Sequence, residues 1–210
     1  MNLKKEPLFL LKYQKNKMKI IQAHKKTDQN WTYLQPLKTL QNPLVLVFGN
    51  RMLLEQLHVI EDIRKEFPYE HIIFGSTSGE ILDANVFDDS IVVTAIEFEK
   101  STFEIRTENI LNYNKDAKKM GAILYDKMPK ENLKHLFVIS EGSFVNGSSL
   151  IDGLEENIQN SVPISGGMCG DAAKFEKTVA SYKENPKEGE VVLIGFYGAS
   201  LEISFSSFGG

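Results

Sequence analysis

An α/β fold, a mixed β-sheet with helices packed on the outer faces, is predicted by three features of this chain. Residues 44–80 read as strand, helix, strand; short, continuously apolar runs recur after helical stretches; and two β-branched and aromatic runs, 91–98 and 103–107, lie only a few residues apart. The strand-like runs are numerous enough to fill two sheet layers.

Residues 1–17 carry Lys4, Lys5, Lys12, Lys15 and Lys17 around Leu8-Phe9-Leu10-Leu11, a polar or amphipathic lead-in whose apolar stretch is too short for a signal peptide. Lys19 to His24 reads as a first strand. Asn42-Pro43 then punctuates the start of Leu44-Val45-Leu46-Val47-Phe48, the pattern of a strand buried on both faces. Asn50 is placed to cap a helix in which Leu53, Leu57, Ile60, Ile63 and Phe67 share one face, and Pro68 ends it. His71-Ile72-Ile73-Phe74 follows as a strand. Such a unit closes right-handed, with its two strands parallel.

Ile91 to Phe98 and Phe103 to Thr107 read as an antiparallel hairpin, which makes the sheet mixed. Ala117, Met120, Gly121, Leu124 and Met128 mark a helical face stopped by Pro129, and Leu136-Phe137-Val138-Ile139 is another buried strand. Ser148 or Ser149 is placed to cap a helix through Leu150, Ile151, Leu154 and Ile158, with Asp152 completing a box-like arrangement. Strands are expected at 178–182, 191–197 and 201–205, the last with strict alternation. The Gly209-Gly210 ending suggests a cut between modules of a longer protein.

The composition is that of an ordinary globular protein, 42% hydrophobic and 25% charged, and a formal charge of −4 gives no reason to expect nucleic-acid binding. The longest apolar runs fall far short of the roughly 20 residues of a membrane helix. The one cysteine, Cys169, forms no intrachain disulfide, and four scattered histidines offer no zinc-binding spacing. A reducing, cytoplasmic setting without a metal or other cofactor is expected.

Three loops carry the polar chemistry. Gly75-Ser76-Thr77-Ser78-Gly79-Glu80, Glu141-Gly142-Ser143-Phe144-Val145-Asn146-Gly147-Ser148 and Ser165-Gly166-Gly167-Met168-Cys169-Gly170-Asp171 each follow a strand-like run. Loops leaving one sheet edge can line a shared crevice, where glycines let backbone N–H groups approach a ligand. Ser76, Thr77, Ser78 and Asn146 are the candidate hydrogen-bond donors to a small polar ligand. Glu80, Glu141 and Asp171 are the candidate acceptors for an ammonium or hydroxyl group. The GxGxxG fingerprint and the P-loop lysine are both missing, which argues against a nucleotide. Each loop is also readable as a turn bonded to itself, with Ser148 or Ser149 only a cap.

A nucleophile needs a base within reach, and His24, His58, His71 and His135 all lie outside these loops. The expectation is therefore a non-enzymatic binding domain. Two rivals are a hydrolase or transferase using Ser76, Ser78 or Cys169, and a structural interaction domain that takes no ligand.

The runs Gly75 to Glu80, Val145 to Ser148 and Val162 to Asp171, with Phe175 and Thr178, resemble the N-terminal part of FIST domains. Leu46 to Asn50 and Gly195 to Gly198 fit the same pattern, so the similarity covers residues 18–210. It implies a bacterial-type intracellular sensory module that binds small molecules, amino acids among them, and signals to an adjacent module. It also implies a C-terminal FIST partner, absent from this sequence. Cys169 departs from the small or apolar residue expected between the glycines.

Overall fold

The computed structural model describes residues 18–36, 39–158 and 162–204. Sequence-based expectations for 1–17 and for the end from 205 onward lie outside the described residues.

Three apolar clusters define the layers. In β3 (Leu44–Asn50) and β4 (His71–Thr77), alternate residues face opposite ways. Val45, Val47, Ile72 and Phe74 meet Leu53 and Leu54 of α1 (Arg51–Leu54) and Ile60 and Ile63 of α2 (Leu57–Glu66). Leu44 and Ile73 point the other way, onto Ile105, Ile139, Val192 and Ile194 of a second sheet. That second sheet turns its far side to α3 (Ala117–Asp126) and α4 (Gly147–Glu155) through Leu136, Val138, Leu193, Met120, Leu124, Leu150 and Leu154. The order is helices, sheet, sheet, helices. Fully burying each large apolar side chain contributes about 1.5–3 kcal/mol.

The first sheet has strand order β11-β4-β3-β7-β1-β2, with β1 (Lys19–Lys26), β2 (Thr32–Tyr33), β7 (Ser90–Glu97) and β11 (Ala180–Tyr182). The second has order β10-β9-β12-β8, with β8 (Thr102–Asn109), β9 (Leu133–Ser140), β10 (Ile164–Met168) and β12 (Glu190–Tyr197). A two-stranded hairpin, β5 (Glu80–Leu82) with β6 (Asn85–Phe87), projects beside them. Both large sheets are mixed: β3 and β4 run parallel, as do β9 and β10, and the other pairs are antiparallel.

Four local expectations need correction. The runs 91–98 and 103–107 are not paired, because β7 belongs to one sheet and β8 to the other. The connection crosses between layers, filled by Phe98 against Phe103 and Phe196 at 6.1 and 5.7 Å between ring centroids. The helix after Asn50 is two helices, broken at Glu55–Gln56, although Asn50 does cap the first through Met52 N. The cap of α4 is Asn146, which accepts from Ser149 N at 2.9 Å, so neither serine serves. Residues 201–204 are not a strand.

Helices α3 and α4 touch backbone to backbone. A Cβ on Gly153 would stand 2.0 Å from Lys118 O, and one on Gly121 2.5 Å from Leu150 O. The close crossing requires both glycines.

Candidate functional site

Strand β4, parallel to β3 in the first sheet, ends in the first loop, and β9 and β10, parallel to each other in the second sheet, end in the second and third, so the loops leave two sheets and not the one edge expected from the sequence. Cys169 and Gly170 form the junction of all three. Gly170 N donates to Ser76 O at 2.9 Å, and Cys169 N donates to Ser140 O at 2.7 Å. A Cβ on Gly170 would fall 2.3 Å from Ser78 Oγ, one on Gly142 2.8 Å from Cys169 O, and one on Gly147 2.9 Å from Met168 Sδ. Bare backbone is therefore what lets the loops close on one another.

The named side chains meet different fates. Ser76 is buried and bridges to the strand beyond the third loop: its Oγ accepts from Val179 N at 3.0 Å and its N donates to Val179 O at 2.9 Å. Thr77 Oγ1 donates to Glu80 Oε1 and Ser90 Oγ donates to Glu80 Oε2, both at 2.6 Å, so the Glu80 carboxylate ties down the root of the β5–β6 hairpin. Ser78 is exposed over Gly170.

Glu141 is fully buried. Its Oε1 accepts from Ser143 N and from Thr178 Oγ1, the latter at 2.7 Å, and its Oε2 accepts from Phe144 N at 2.9 Å. Thr178 returns the favour to the loop, accepting from Gly142 N at 2.7 Å and donating its own N–H to Ser143 Oγ at 3.0 Å. A carboxylate holding several donors shapes its loop as firmly as a strand pairing does.

Asp171 is buried against Arg51, itself only 3% exposed; Arg51 Nε donates to Asp171 Oδ1 at 2.7 Å. Asp171 Oδ2 accepts from Glu176 N and Lys177 N, and Arg51 reaches Glu55 and Glu176 with its other nitrogens. Burial works to raise the Asp171 pKa. The Arg51 guanidinium and the two backbone N–H groups overcome that and hold it below the usual carboxylate range. Arg51 is a residue that sequence reasoning missed, since nothing near Asn50 announces a partner 120 positions away.

Burial pushes the half-buried Cys169 thiol up to about 12, with the Glu141 charge acting in the same direction and bonds to Ser76 opposing it. Thiolate chemistry is suppressed there. Among the described residues, no group of His, Cys, Asp and Glu is placed to hold a metal ion.

A cavity of about 290 Å³ adjoins this junction. It is lined by Ser140, Gly147, Leu150, Ile151 and the whole of Ser165–Met168, so the second and third loops contribute and the first does not. Its floor is apolar, and its polar rim is the exposed backbone of Gly166 and Gly167 beside the amino end of α4. Gly166 has φ +141°, and its added Cβ would strike Val138 O at 2.0 Å; Gly167 faces open space. Ser165 on this wall meets His135 Nε2 at 2.7 Å, so a histidine does reach a loop serine. Its place at the start of β9 had argued otherwise.

The family model for the FIST N domain matches residues 43–210. The chain belongs to the FIST N domain family. FIST domains are sensory domains, and the match embraces all three loops and the cavity. The β1 strand lies before the matched stretch yet pairs with β7 along its full length. A search of curated proteins gave no significant match. Among the described residues, no helix is long and apolar enough to cross a membrane.

Proposed function

We propose that this FIST N domain is a cytoplasmic, non-enzymatic sensor that binds a small polar metabolite, amino acids being one such class, and signals to an adjacent module such as a FIST C-terminal domain. The observation that supports this reading is the convergence of the three loops on Cys169–Gly170 beside the cavity walled by Ser165–Met168 and Gly147. The metabolite's apolar body would rest on Leu150 and Ile151. Its polar end would meet the Gly166–Gly167 backbone and the positive end of the α4 dipole.

The acids take a different part from the one their residue types suggest. Glu80, Glu141 and Asp171 hold loops in place, and Ser78 and Asn146 are the candidate donors left exposed, Asn146 with its Oδ1 already accepting from Ser149 N. Ligand contact with Gly167–Met168 would be passed through Cys169 and Gly170 to Asp171, and from there through Arg51 to α1. Binding that favours one arrangement of this relay biases whatever packs on it.

A thermal-shift screen of amino acids and small carboxylates on the intact protein tests the reading. A ligand at a hundredfold excess over its dissociation constant stabilises by about 2.7 kcal/mol. Gly167→Leu, which adds bulk to a residue lining the cavity at a position where a Cβ meets nothing within 4 Å, is expected to remove the shift and leave the fold intact. No stabilisation by any compound, or a shift that survives Gly167→Leu, overturns it.

A further inference from the structure

Four strand edges bound the two large sheets, and three of them are blunted. β11 has 3 residues and β2 has 2, and two of the 5 residues of β10 are glycines. β8 is different: 8 residues, TFEIRTEN, with no glycine or proline, pair with β12 in unbroken register and, among the described residues, with no strand on the other side. An edge of that length is a template for another strand unless something covers it.

The direction of its free groups follows from the ladder. Ile110 N donates to Gly189 O, which continues the β8–β12 register by one pair. Alternation then turns the backbone groups of Thr102, Glu104, Arg106 and Glu108 toward β12, and those of Phe103, Ile105 and Thr107 toward the open edge. The Ile105 carbonyl fits this, since it accepts from Arg106 Nη1 at 2.8 Å. A cavity of about 410 Å³ runs along the edge, with Ser101–Arg106 on one wall and His71, Phe98 and Tyr182 among the residues facing them.

We propose that β8 pairs with β8 of a second copy of this chain, antiparallel about a two-fold axis at Ile105. In this register Ile105 faces the partner's Ile105, and Phe103 faces the partner's Thr107. All of these are residues whose backbone groups turn away from β12, giving about six hydrogen bonds at two per pair once the Ile105 carbonyl exchanges Arg106 Nη1 for the partner's N–H. Glu104 then stands opposite the partner's Arg106, and Arg106 opposite the partner's Glu104, in the close positions where opposite charges stabilise a strand pair. Within one chain the same two side chains already meet at 3.0 Å while 48% and 32% exposed, so the bond is exchanged across the axis. A one-residue slip would oppose groups already bonded to β12. A slip that centres the axis on Phe103 would set Glu104 against Thr102 and lose the ion pairs. The contact is isologous and closes as a dimer, doubling the four-stranded sheet.

Sedimentation equilibrium of the full chain reads the association. Wild type is expected to dimerise; Arg106→Glu and Glu104→Arg, each of which sets like charges opposite twice over, are expected to weaken the dimer about tenfold or more. The double variant E104R/R106E restores complementarity and is expected to recover dimerisation. Amide exchange supplies a second reading: Phe103, Ile105 and Thr107 are slowed in wild type and fast in Arg106→Glu, whereas Glu104, bonded within the sheet, stays slow in both. A monomeric wild type, a dimer indifferent to the single reversals, or a folded double variant that fails to dimerise would each overturn the proposal.

Discussion

Replacing Asp171 by Ala removes three hydrogen bonds at once: one from Arg51 Nε at 2.7 Å and two from Glu176 N and Lys177 N at 3.1 and 3.2 Å. The larger cost is the cation left behind, because the Arg51 side chain is 3% exposed. Breaking a buried ion pair from one side costs about 3–5 kcal/mol. Arg51 keeps Glu55 and Glu176 at 2.7 Å, but these are 28% and 64% exposed and compensate weakly, which places the expected loss near the lower bound, about 3 kcal/mol. At this chain length that lowers Tm by about 6–12 °C.

The assay is urea unfolding of wild type, Asp171→Ala, Arg51→Met and the double variant. Arg51→Met leaves Asp171 with its two backbone donors, so the double variant is expected to be no worse than Asp171→Ala alone. The sign of the pH dependence is fixed too. A carboxylate with a depressed folded pKa contributes stability above its unfolded value, and that stability is lost as pH falls through the folded one. Wild type and Asp171→Ala should therefore converge in acid. A loss below about 1 kcal/mol, or strictly additive single changes, would refute the view of Arg51–Asp171 as one buried unit.

Glu141→Gln keeps the shape but turns an amide toward the donors Ser143 N, Phe144 N and Thr178 Oγ1, and is expected to cost about 1–3 kcal/mol in urea unfolding. Gly153→Ala drives a methyl group to 2.0 Å from Lys118 O and is expected to cost at least the 1–3 kcal/mol typical of overpacking, read as a lowered midpoint. Cys169, with its thiol at about 12, should resist iodoacetamide at pH 8 until urea is added; rapid labelling of the native protein would contradict its burial. Ser165 should remain unlabelled by a fluorophosphonate despite lying 2.7 Å from His135 Nε2, and stoichiometric labelling would favour a hydrolase instead.

Much of the architecture was legible along the chain because periodicity is a local signal. The unbroken apolar run 44–48 and the stops at Pro68 and Pro129 translate directly into β3 and the ends of α2 and α3, whereas the stripe from Leu53 to Phe67 is split between α1 and α2 and leaves Leu57 exposed. The sheet assignment of 91–98 and 103–107 was not legible, since a tight connection reads alike whether strands pair or part. At the site, the small residues of the three loops were legible, but not that the first loop leaves one sheet and the other two leave the other, meeting across the layers through Cys169 and Gly170. The duties of Glu80, Glu141 and Asp171 were not legible either, because they are set by Ser90, Thr178 and Arg51, which lie 10, 37 and 120 positions away. Residue type announces an acid, and only the tertiary structure says what neutralises it.

Strand β11 carries a consequence for how the molecule comes into being. Residues 19–97 build most of the first sheet and 102–168 most of the second, yet Ala180–Tyr182 return to flank β4 before the chain goes back to place β12 between β9 and β8. No single cut separates the layers into halves that each keep all their strands. During synthesis the flank of β4 waits for sequence made a hundred residues later, and the second sheet waits longer still for its middle strand. Long-range closure of this kind slows folding. The nascent chain thus shows bare strand borders to its surroundings until β12 has left the ribosome.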